Sequence, residues 1–342
     1  MTTPDTCCCT GVTSCCSGGI KQTNSFISSR DRIDHLLARW GVNRMGHRVD
    51  PGLYILGSPT EESPVFASAN YTLSFDALRS SLKRIDAYIL VLDTKGINVW
   101  CAAGKGTFGT DELVRLIETT DLGSIISHRN IIVPQLGAPG IAAHEVQKRT
   151  GFRVRYGPVR AEDLPEFLKT GEATTEMRRV RFTLYDRIVL APVELVHIIV
   201  PTIILTIVLW FIAGIMGSLA VISTAFVGSV VFPILLPYLP TRDLSTKGFI
   251  LGFLIAIPFS IHIASFQNLS GWSLVLGLAI PLLTIPAAIS YMGLNFTGST
   301  TYTSRTGVRK EIFRYVPIIA GMVGIGIISC IILMVSYLMG GI

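Results

Sequence analysis

The feature that most constrains this chain is the placement of its charged residues, which leaves three long runs without Asp, Glu, Lys or Arg. These runs cover residues 195–241, 248–304 and 315–342. Because a helix needs about 20 apolar residues to cross a bilayer, the runs accommodate two, two and one spans. The sequence therefore predicts an α-helical transmembrane domain, residues 191–342, with about five helices near 195–216, 219–239, 248–267, 272–292 and 316–338. Tight connections are expected at Gly217-Ser218 and at residues 268–271.

Basic residues around the predicted spans determine their orientation, because Lys and Arg resist translocation and stay on the cytoplasmic side. They precede the first span and lie between spans two and three and between spans four and five, whereas the alternate connections carry none. We expect a multi-pass inner-membrane protein with residues 1–190 in the cytoplasm and the carboxy terminus outside. The basic residues are Arg178, Arg179, Arg181, Arg187, Arg242, Lys247, Arg305, Arg309, Lys310 and Arg314.

The charge balance of the remaining chain argues against nucleic acid as a partner. Residues 1–190 contain 23 basic and 20 acidic side chains, far from the basic excess of a nucleic-acid-binding protein. The remaining net positive charge of the chain belongs to the membrane loops, where anionic lipid accounts for it. The lipid bilayer is therefore an expected partner.

The amino-terminal part is expected to hold little structure. Residues 1–25 are a low-complexity, Cys-rich stretch that cannot bury a core, so they are predicted to be disordered. The spacing of their five cysteines fits neither a zinc site nor an iron–sulfur cluster. Residues 26–49 are predicted to form an amphipathic helix and a linker, because Ile33, Leu36, Leu37 and Trp40 recur at the spacing of one helical face.

Residues 50–170 alternate between short apolar runs and helical periods, which predicts an α/β, Rossmann-like domain with a mostly parallel sheet. Strands are expected at 53–56, 65–69, 87–92, 131–133 and 153–156, and helices near 74–82, 110–120, 141–150 and 162–169. Such sheets bind ligands beyond the carboxyl ends of their strands. The segments of interest are therefore 68–71, 93–108 and 134–140. Residues 171–190 are predicted to be a basic linker to the membrane.

The segment from Asp93 to Gly109 follows the most apolar strand and allows three interpretations. Its three glycines match the G-x-G-x-x-G spacing of dinucleotide-binding loops, but the supposed ribose carboxylate, Asp121, lies only 12 residues past the last glycine and no strand separates the two. A second interpretation is a structural Gly-rich turn with Trp100 and Cys101 in the core. A third makes Cys101 a thiolate ligand beside small residues that allow a bulky planar group to approach.

The third interpretation is favoured by the resemblance of this segment to a known protein family. The segment NVWCAAGK, residues 98–105, resembles the motif of the membrane-bound corrinoid proteins that methylate mercury. Residues 50–160 are similar to the corrinoid-binding domain of the corrinoid iron–sulfur protein large subunit, also through VFASANYTLSFDALR (65–79) and IIVPQLGAPG (131–140). The five predicted membrane spans resemble those of the mercury-methylating family.

The resemblance implies a cobalamin-type corrinoid bound in the base-off state over a cap helix. Cys101 would be the catalytic residue and the lower axial ligand of cobalt, and no D-x-H-x-x-G motif for ligation by histidine is present. Lys105, four residues further on, either assists the thiolate or is a solvated surface lysine. The residues expected to contact the corrinoid are Asn98, Val99, Trp100, Cys101, Ala102, Ala103, Gly104 and Lys105 of the motif, and Phe66, Ala69, Asn70, Tyr71, Gln135, Leu136, Gly137, Ala138 and Gly140 of the flanking loops.

The function implied is a corrinoid-dependent methyltransferase that passes a methyl group to Hg(II) to form methylmercury. An anionic thiolate donates electrons to the metal, as a Cys ligand does to haem iron, which favours transfer of a carbanion or radical to an electrophile. The family implies a methyl-folate enzyme or methyl-corrinoid protein as donor and a ferredoxin-like partner with two [4Fe–4S] clusters as reductant. Two alternatives remain: a methyl carrier of the acetyl-CoA pathway type, and a membrane-anchored corrinoid- or nucleotide-binding sensor.

Overall fold

The computed structural model describes residues 20–43, 45–298, 300 and 305–339. It divides into two compact units, one ending at Arg181 and one beginning at Phe182. We call them the amino-terminal unit and the carboxy-terminal unit. The five cysteines of the predicted disordered tail lie outside the described residues.

The amino-terminal unit is built on a six-stranded sheet in the order β1-β2-β4-β3-β5-β6. All neighbouring strands are parallel except the antiparallel pair β2–β4. The prediction of an α/β domain with a mostly parallel sheet is therefore confirmed. The strands are β1 (Ile20–Thr23), β2 (Gly52–Leu56), β3 (Val65–Ala69), β4 (Ala87–Leu92), β5 (Asn130–Val133) and β6 (Arg153–Tyr156).

Helices cover both faces of this sheet, as the continuous apolar strands β3 and β4 require. On one face, the core joins the sheet to α3, α4, α5 and α6, and on the other face it joins the sheet to α2 and α7. The helices are α1 (Ser29–Arg39), α2 (Thr72–Ser81), α3 (Val99–Lys105), α4 (Thr110–Thr119), α5 (Leu122–Ile125), α6 (Ala143–Thr150) and α7 (Leu164–Thr170), with short 3-10 turns at Gln135–Gly137 and Ala161–Asp163.

Strand β1 corrects the prediction of disorder for the end of residues 1–25, of which the structure describes residues 20–25. Ile20–Thr23 pairs in parallel with Leu53–Leu56 at the edge of the sheet. The low-complexity composition suggested that this stretch could not bury a core of its own. It does not need one, because the edge of β2 supplies main-chain hydrogen-bond partners and the neighbouring core receives Ile20.

Buried ionic contacts attach the segment after β1 to helix α2. Arg79, which is 4% exposed, donates to the Asp76 carboxylate at 2.6 Å and to the Asp31 carboxylate at 2.9 Å. It also donates to the carbonyl oxygens of Asn24 and Phe26. His35 contacts Asp76 at 2.6 Å. These charge-assisted hydrogen bonds hold α1 against the domain through its polar side.

A second ionic contact fixes the turn after α1. The ring of the buried His47 meets the Asp34 carboxylate at 2.7 Å and the Val42 carbonyl at 2.6 Å. Both partners are acceptors, so both ring nitrogens donate and the imidazole is protonated. Burial alone lowers the pKa of His47, but the hydrogen bonds to Val42 and Asp34 outweigh it and raise the pKa above its usual 6.5.

This contact predicts a pH-dependent attachment of α1. Because the folded-state pKa of His47 is raised, its contribution is complete below about pH 6.5 and is lost as the pH rises through the higher folded-state value. We expect His47→Gln to reduce hydrogen-exchange protection of α1 by about 1–3 kcal/mol at pH 6 and by less at pH 9. The exposed His144 on α6 provides the control variant, His144→Gln. A difference that does not change with pH would contradict the protonated state.

The carboxy-terminal unit consists of helices. They are α8 (Leu184–Ile188), α9 (Ala191–Phe226), α10 (Phe232–Leu235), α11 (Leu244–Phe266), α12 (Trp272–Asn295) and α13 (Arg305–Leu338), with a π-helical turn at Val227–Val231 between α9 and α10. In the described part of the chain, four continuous helical runs are long and apolar enough to cross a membrane, namely Leu184–Leu235, Leu244–Phe266, Trp272–Asn295 and Thr306–Leu338.

The first of these runs has 52 residues and folds back on itself. Gly214 has φ 63° and ψ −154°, which breaks the helix. The Ser218 hydroxyl donates to the Thr206 carbonyl at 2.9 Å, although twelve residues of straight helix would separate them by about 18 Å. Arg187, near the start of the run, donates to the Ile234 carbonyl near its end. The run is therefore a hairpin of two helical legs.

With this hairpin, the described residues supply five helical legs, in agreement with the five predicted spans. The structure corrects the position of the first reversal, which lies at Gly214 instead of Gly217-Ser218. Glycine tolerates the positive φ required at that residue, whereas the Gly217 position is helical and packs closely on Leu209 and Ala213. The legs are compatible with membrane insertion.

Candidate functional site

The predicted cap helix is present as α3, a helix of seven residues. Asn98 precedes it, and its side-chain oxygen accepts a hydrogen bond from the Cys101 main-chain N–H at 2.9 Å. This contact satisfies one of the free N–H groups at the start of the helix. Gly106, with φ 86°, ends the helix in the left-handed conformation.

Helix α3 has one buried face and one open face. Val99, Ala102 and Ala103 are buried in the core. Cys101 is half-buried, and an added Cβ at Gly104 would meet no atom within 4 Å. Lys105, four residues after Cys101, is exposed. The interpretation that places the thiol in the core is therefore wrong, because Cys101 lies on the side of α3 that packing leaves open.

The loop before α3 is held by the buried amide of Asn70, at the end of β3. Its side-chain oxygen accepts from the main-chain N–H groups of Thr94 and Gly96 at 3.1 and 2.9 Å and from the Thr94 hydroxyl at 2.8 Å. Its side-chain nitrogen donates to Asp93 at 3.0 Å. The amide therefore connects the carboxyl ends of β3 and β4 and positions the start of α3.

A second loop supports α3 from the other side. A Cβ at Gly140 would press on the Phe108 carbonyl oxygen and lie 3.0 Å from Ala103 Cα. A Cβ at Gly137 would lie 2.5 Å from the ring of Phe108, which is completely buried. These glycines are present because the loop after β5 packs directly against α3 and the residues that follow it.

A cavity of about 280 Å³ opens beside the start of α3. The sequence predicted part of its lining, namely Phe66, Leu136, Asn98, Val99 and Trp100. It missed the contributions of α2 and of the loop after β6, because they depend on how these elements pack against β3 and β5. The additional lining residues are Ala67, Ser68, Ser74, Ala77, Leu78, Ile132, Pro134, Pro158, Val159, Ala161 and Leu164.

The other predicted contact residues lie around the cavity without lining it. Ala69 is in the core, and Tyr71 is half-buried directly before α2. Gln135 accepts a hydrogen bond from Arg178 at 3.4 Å. Ala138 is half-buried at the end of the 3-10 turn. The predicted set is thus brought to one edge of the sheet, but its members have different roles there.

The metal-binding side chains at this edge of the sheet restrict the kind of metal-containing cofactor that could bind there. Within the described residues, no cluster of three or more His, Cys, Asp or Glu side chains could bind a metal ion. A metal held by protein side chains alone needs such a cluster, whereas a metal inside a macrocycle needs only an axial side chain. The single accessible thiol of Cys101, the open space at Gly104 and the adjacent apolar cavity fit a macrocyclic group.

Sequence comparison finds relatives of the amino-terminal unit among subunits of acetyl-CoA decarbonylase/synthase complexes. Residues 42–168 match the family model for the CO dehydrogenase/acetyl-CoA synthase delta subunit. The acetyl-CoA decarbonylase/synthase complex subunit gamma of Methanopyrus kandleri is 34% identical over 128 residues, which are 37% of this chain and 27% of that protein. The same subunit of Methanothermobacter thermautotrophicus is 35% identical over 127 residues, 36% of this chain and 27% of that protein.

The corrinoid/iron-sulfur protein large subunit of Moorella thermoacetica is 27% identical over 163 residues, 45% of this chain and 36% of that protein. The chain thus spans about a quarter to a third of the length of these relatives. The matched family segment runs from before β2 to within α7 and contains Cys101, but none of helices α8 to α13. The similarity agrees with the predicted resemblance to the corrinoid iron–sulfur protein; the resemblance to mercury-methylating proteins stays a prediction.

Two glycine substitutions test the packing on the two sides of α3 separately, one in the supporting loop and one on the open face. We expect Gly140→Ala to destabilise the amino-terminal unit by about 1–3 kcal/mol, because the new methyl group overlaps the Phe108 carbonyl and Ala103. Gly104→Ala should leave stability unchanged or raise it by up to about 1 kcal/mol, because alanine favours the helix and meets open space. Hydrogen exchange of α3 in the full chain measures both. Equal destabilisation by the two variants would contradict this packing.

Proposed function

We propose that the amino-terminal unit is a corrinoid-binding domain that carries a methyl group, with the sulfur of Cys101 as the lower axial ligand of cobalt. The observation that carries this proposal is the position of the thiol. It is half-buried on a short helix at the carboxyl edge of a mostly parallel sheet, and although Cys101 itself does not line the cavity, its neighbours Val99 and Trp100 do. The name of one relative, the corrinoid/iron-sulfur protein large subunit of Moorella thermoacetica, supports the same class of cofactor.

The residues of α3 would hold the corrinoid in distinct ways. Cys101 would ligate the metal, and Gly104 would allow the ring to approach the helix. Asn98 keeps Cys101 at the first turn through its hydrogen bond to the main chain. When bound, the corrinoid supplies a cobalt centre that accepts and releases a methyl group. The base-off state is supported by the apolar cavity next to Trp100, which offers the detached nucleotide base a place away from the metal.

The thiol must lose its proton to act as a ligand, since the thiolate is the metal-binding form. Lys105, one helical turn further on, places a positive charge on the same side of α3. The protein would thus supply an electron-rich sulfur in a fixed position. The burial of Ala102 and Ala103 in the core holds α3 in place.

Reconstitution of the full chain with cobalamin tests this site. We expect wild-type protein to give a visible absorption spectrum of sulfur-ligated Co(III), and Cys101→Ala to lose that spectrum while remaining folded. Gly104→Ala should weaken cobalamin binding by about tenfold or more although it does not destabilise the protein. Thr119→Ala, on α4, is a suitable control because Thr119 lies outside the site. An identical spectrum in wild type and Cys101→Ala would refute the ligand assignment.

For the methyl acceptor, we propose Hg(II), which would be converted to methylmercury. The comparisons by themselves favour the other candidate, a methyl carrier of the acetyl-CoA pathway type. Two features of this chain favour the mercury acceptor: the resemblance of residues 98–105 to the mercury-methylating motif, and the membrane-length legs outside the matched segment. A thiolate ligand also increases electron density at the metal, which suits methyl transfer to an electrophilic cation.

The proposed partners follow from the same reaction. A methyl-folate enzyme or methyl-corrinoid protein would supply the methyl group, and a ferredoxin-like protein with two [4Fe–4S] clusters would return the cofactor to its reduced state. The distribution of Lys and Arg favours an inner-membrane location with the corrinoid unit in the cytoplasm, where these partners and imported Hg(II) would meet it.

The acceptor can be identified with full-length protein loaded with methylcobalamin. Addition of Hg(II) should yield methylmercury at least about tenfold faster than free methylcobalamin does, and Cys101→Ala should lose this advantage. An isolated acetyl-CoA decarbonylase/synthase complex provides the competing acceptor. Methyl transfer to that complex, with no acceleration toward Hg(II), would assign the chain to the acetyl-CoA type instead.

A further inference from the structure

The exposed apolar side chains of the amino-terminal unit are concentrated in one short segment. Among its described residues, every large apolar side chain that is exposed lies between residues 26 and 45. Soluble domains scatter such residues singly, and a contiguous group marks an interaction surface. The group consists of Phe26, Ile33, Leu36, Leu37, Trp40, Val42 and Met45.

Helix α1 at the centre of this segment is oriented with its apolar side outward. Ile33, Leu36, Leu37 and Trp40 form one stripe, and all four are exposed. Asp31, Asp34, His35 and Ala38 repeat the same spacing two residues earlier, which places them on the opposite side of the helix. That polar stripe faces the domain. We call the outward stripe the α1 apolar row.

The contacts of the polar stripe explain why α1 cannot turn over. Asp31 pairs with Arg79 at 2.9 Å, His35 with Asp76 at 2.6 Å, and Asp34 with His47 at 2.7 Å. Rolling the α1 apolar row inward would expose Arg79 and Asp76, which are buried, and break all three pairs. The outward orientation is therefore built into the fold.

The charge around the α1 apolar row is positive. Arg30 and Arg32, at the start of α1, are exposed, and within the described residues neither has a carboxylate at ion-pair distance. The acidic residues of the helix, Asp31 and Asp34, are turned inward and paired. An apolar row that contains Trp and is flanked by arginines is the pattern of helices that lie in the headgroup region of anionic membranes.

We propose that the α1 apolar row binds an anionic lipid surface, with Trp40, Leu36 and Ile33 entering the interface and the arginines contacting lipid phosphates. The proposal depends on membrane insertion of the helical legs but not on the corrinoid. A helix of 11 residues is about 16 Å long and 10 Å wide. The outer face of such a helix covers about 160 Å², well below the ~800 Å² per partner of a stable protein interface. Weak lipid binding suffices, because a chain anchored in a bilayer keeps lipid at high effective concentration.

The test uses the full chain, one copy per nanodisc, with or without brominated acyl chains that quench tryptophan fluorescence on contact. The chain has four Trp residues, so the difference between wild type and Trp40→Phe isolates the signal of Trp40. In anionic nanodiscs we expect bromination to reduce this signal at least about twofold, and in zwitterionic nanodiscs or high salt to reduce it less.

Leu36→Glu and Ile33→Ser, at exposed positions where neither should affect folding, should each weaken the quenching of Trp40. Gln147→Glu is the matched control, because it adds a carboxylate to an exposed position of α6. Absence of quenching in wild type would overturn the proposal and leave a protein partner as the occupant. Quenching that is equal in anionic and zwitterionic lipid, or unchanged in Leu36→Glu, would also overturn it.

Discussion

The candidate site depends on the side chain of Asn70. This buried amide connects the ends of two neighbouring strands by binding Asp93, Thr94 and Gly96. Parallel strands expose unpaired main-chain groups at their carboxyl ends, and here one side chain satisfies several of them. The loop that it fixes leads directly into α3, so the position of Cys101 relative to the cavity follows from a contact that does not involve sulfur.

Much of the fold could be predicted from sequence, because its information is local. Strands β2 to β6 are short Val-, Ile- and Leu-rich runs, and their predicted bounds differ from the structure by one residue or none. Strand β1 could not be predicted, since its stability comes from the edge of β2 and not from its own composition. Likewise, the apolar pattern of α1 indicates a helix but not which side faces out, which ion pairs to Arg79 and His47 decide.

The candidate site, like the fold, could be predicted from sequence only where the information is local. Composition and spacing were enough to select residues 93–109 and to place them after β4, and the resemblance narrowed this segment to residues 98–105. They could not show whether Asn70 supports a loop or lines a pocket, because this role is defined by hydrogen bonds to residues far away in the sequence. Nor could they indicate that Ala77 and Val159 complete the cavity, since these residues meet only when α2 and the loop after β6 pack together. Of the three small residues in the motif, Ala102 and Ala103 are explained by packing in the core, whereas Gly104 faces open space.

The brevity of α3 has a mechanical consequence. Its seven residues make about two turns, too few for a helix that persists by itself in water. Its shape is therefore imposed by Asn70 on one side and by Gly137, Gly140 and Phe108 on the other. A force applied to the sulfur of Cys101 would be resisted by these neighbours rather than by the helix. The rigidity of Cys101 thus depends on these neighbouring residues, and substitutions at positions that do not touch the sulfur can alter it.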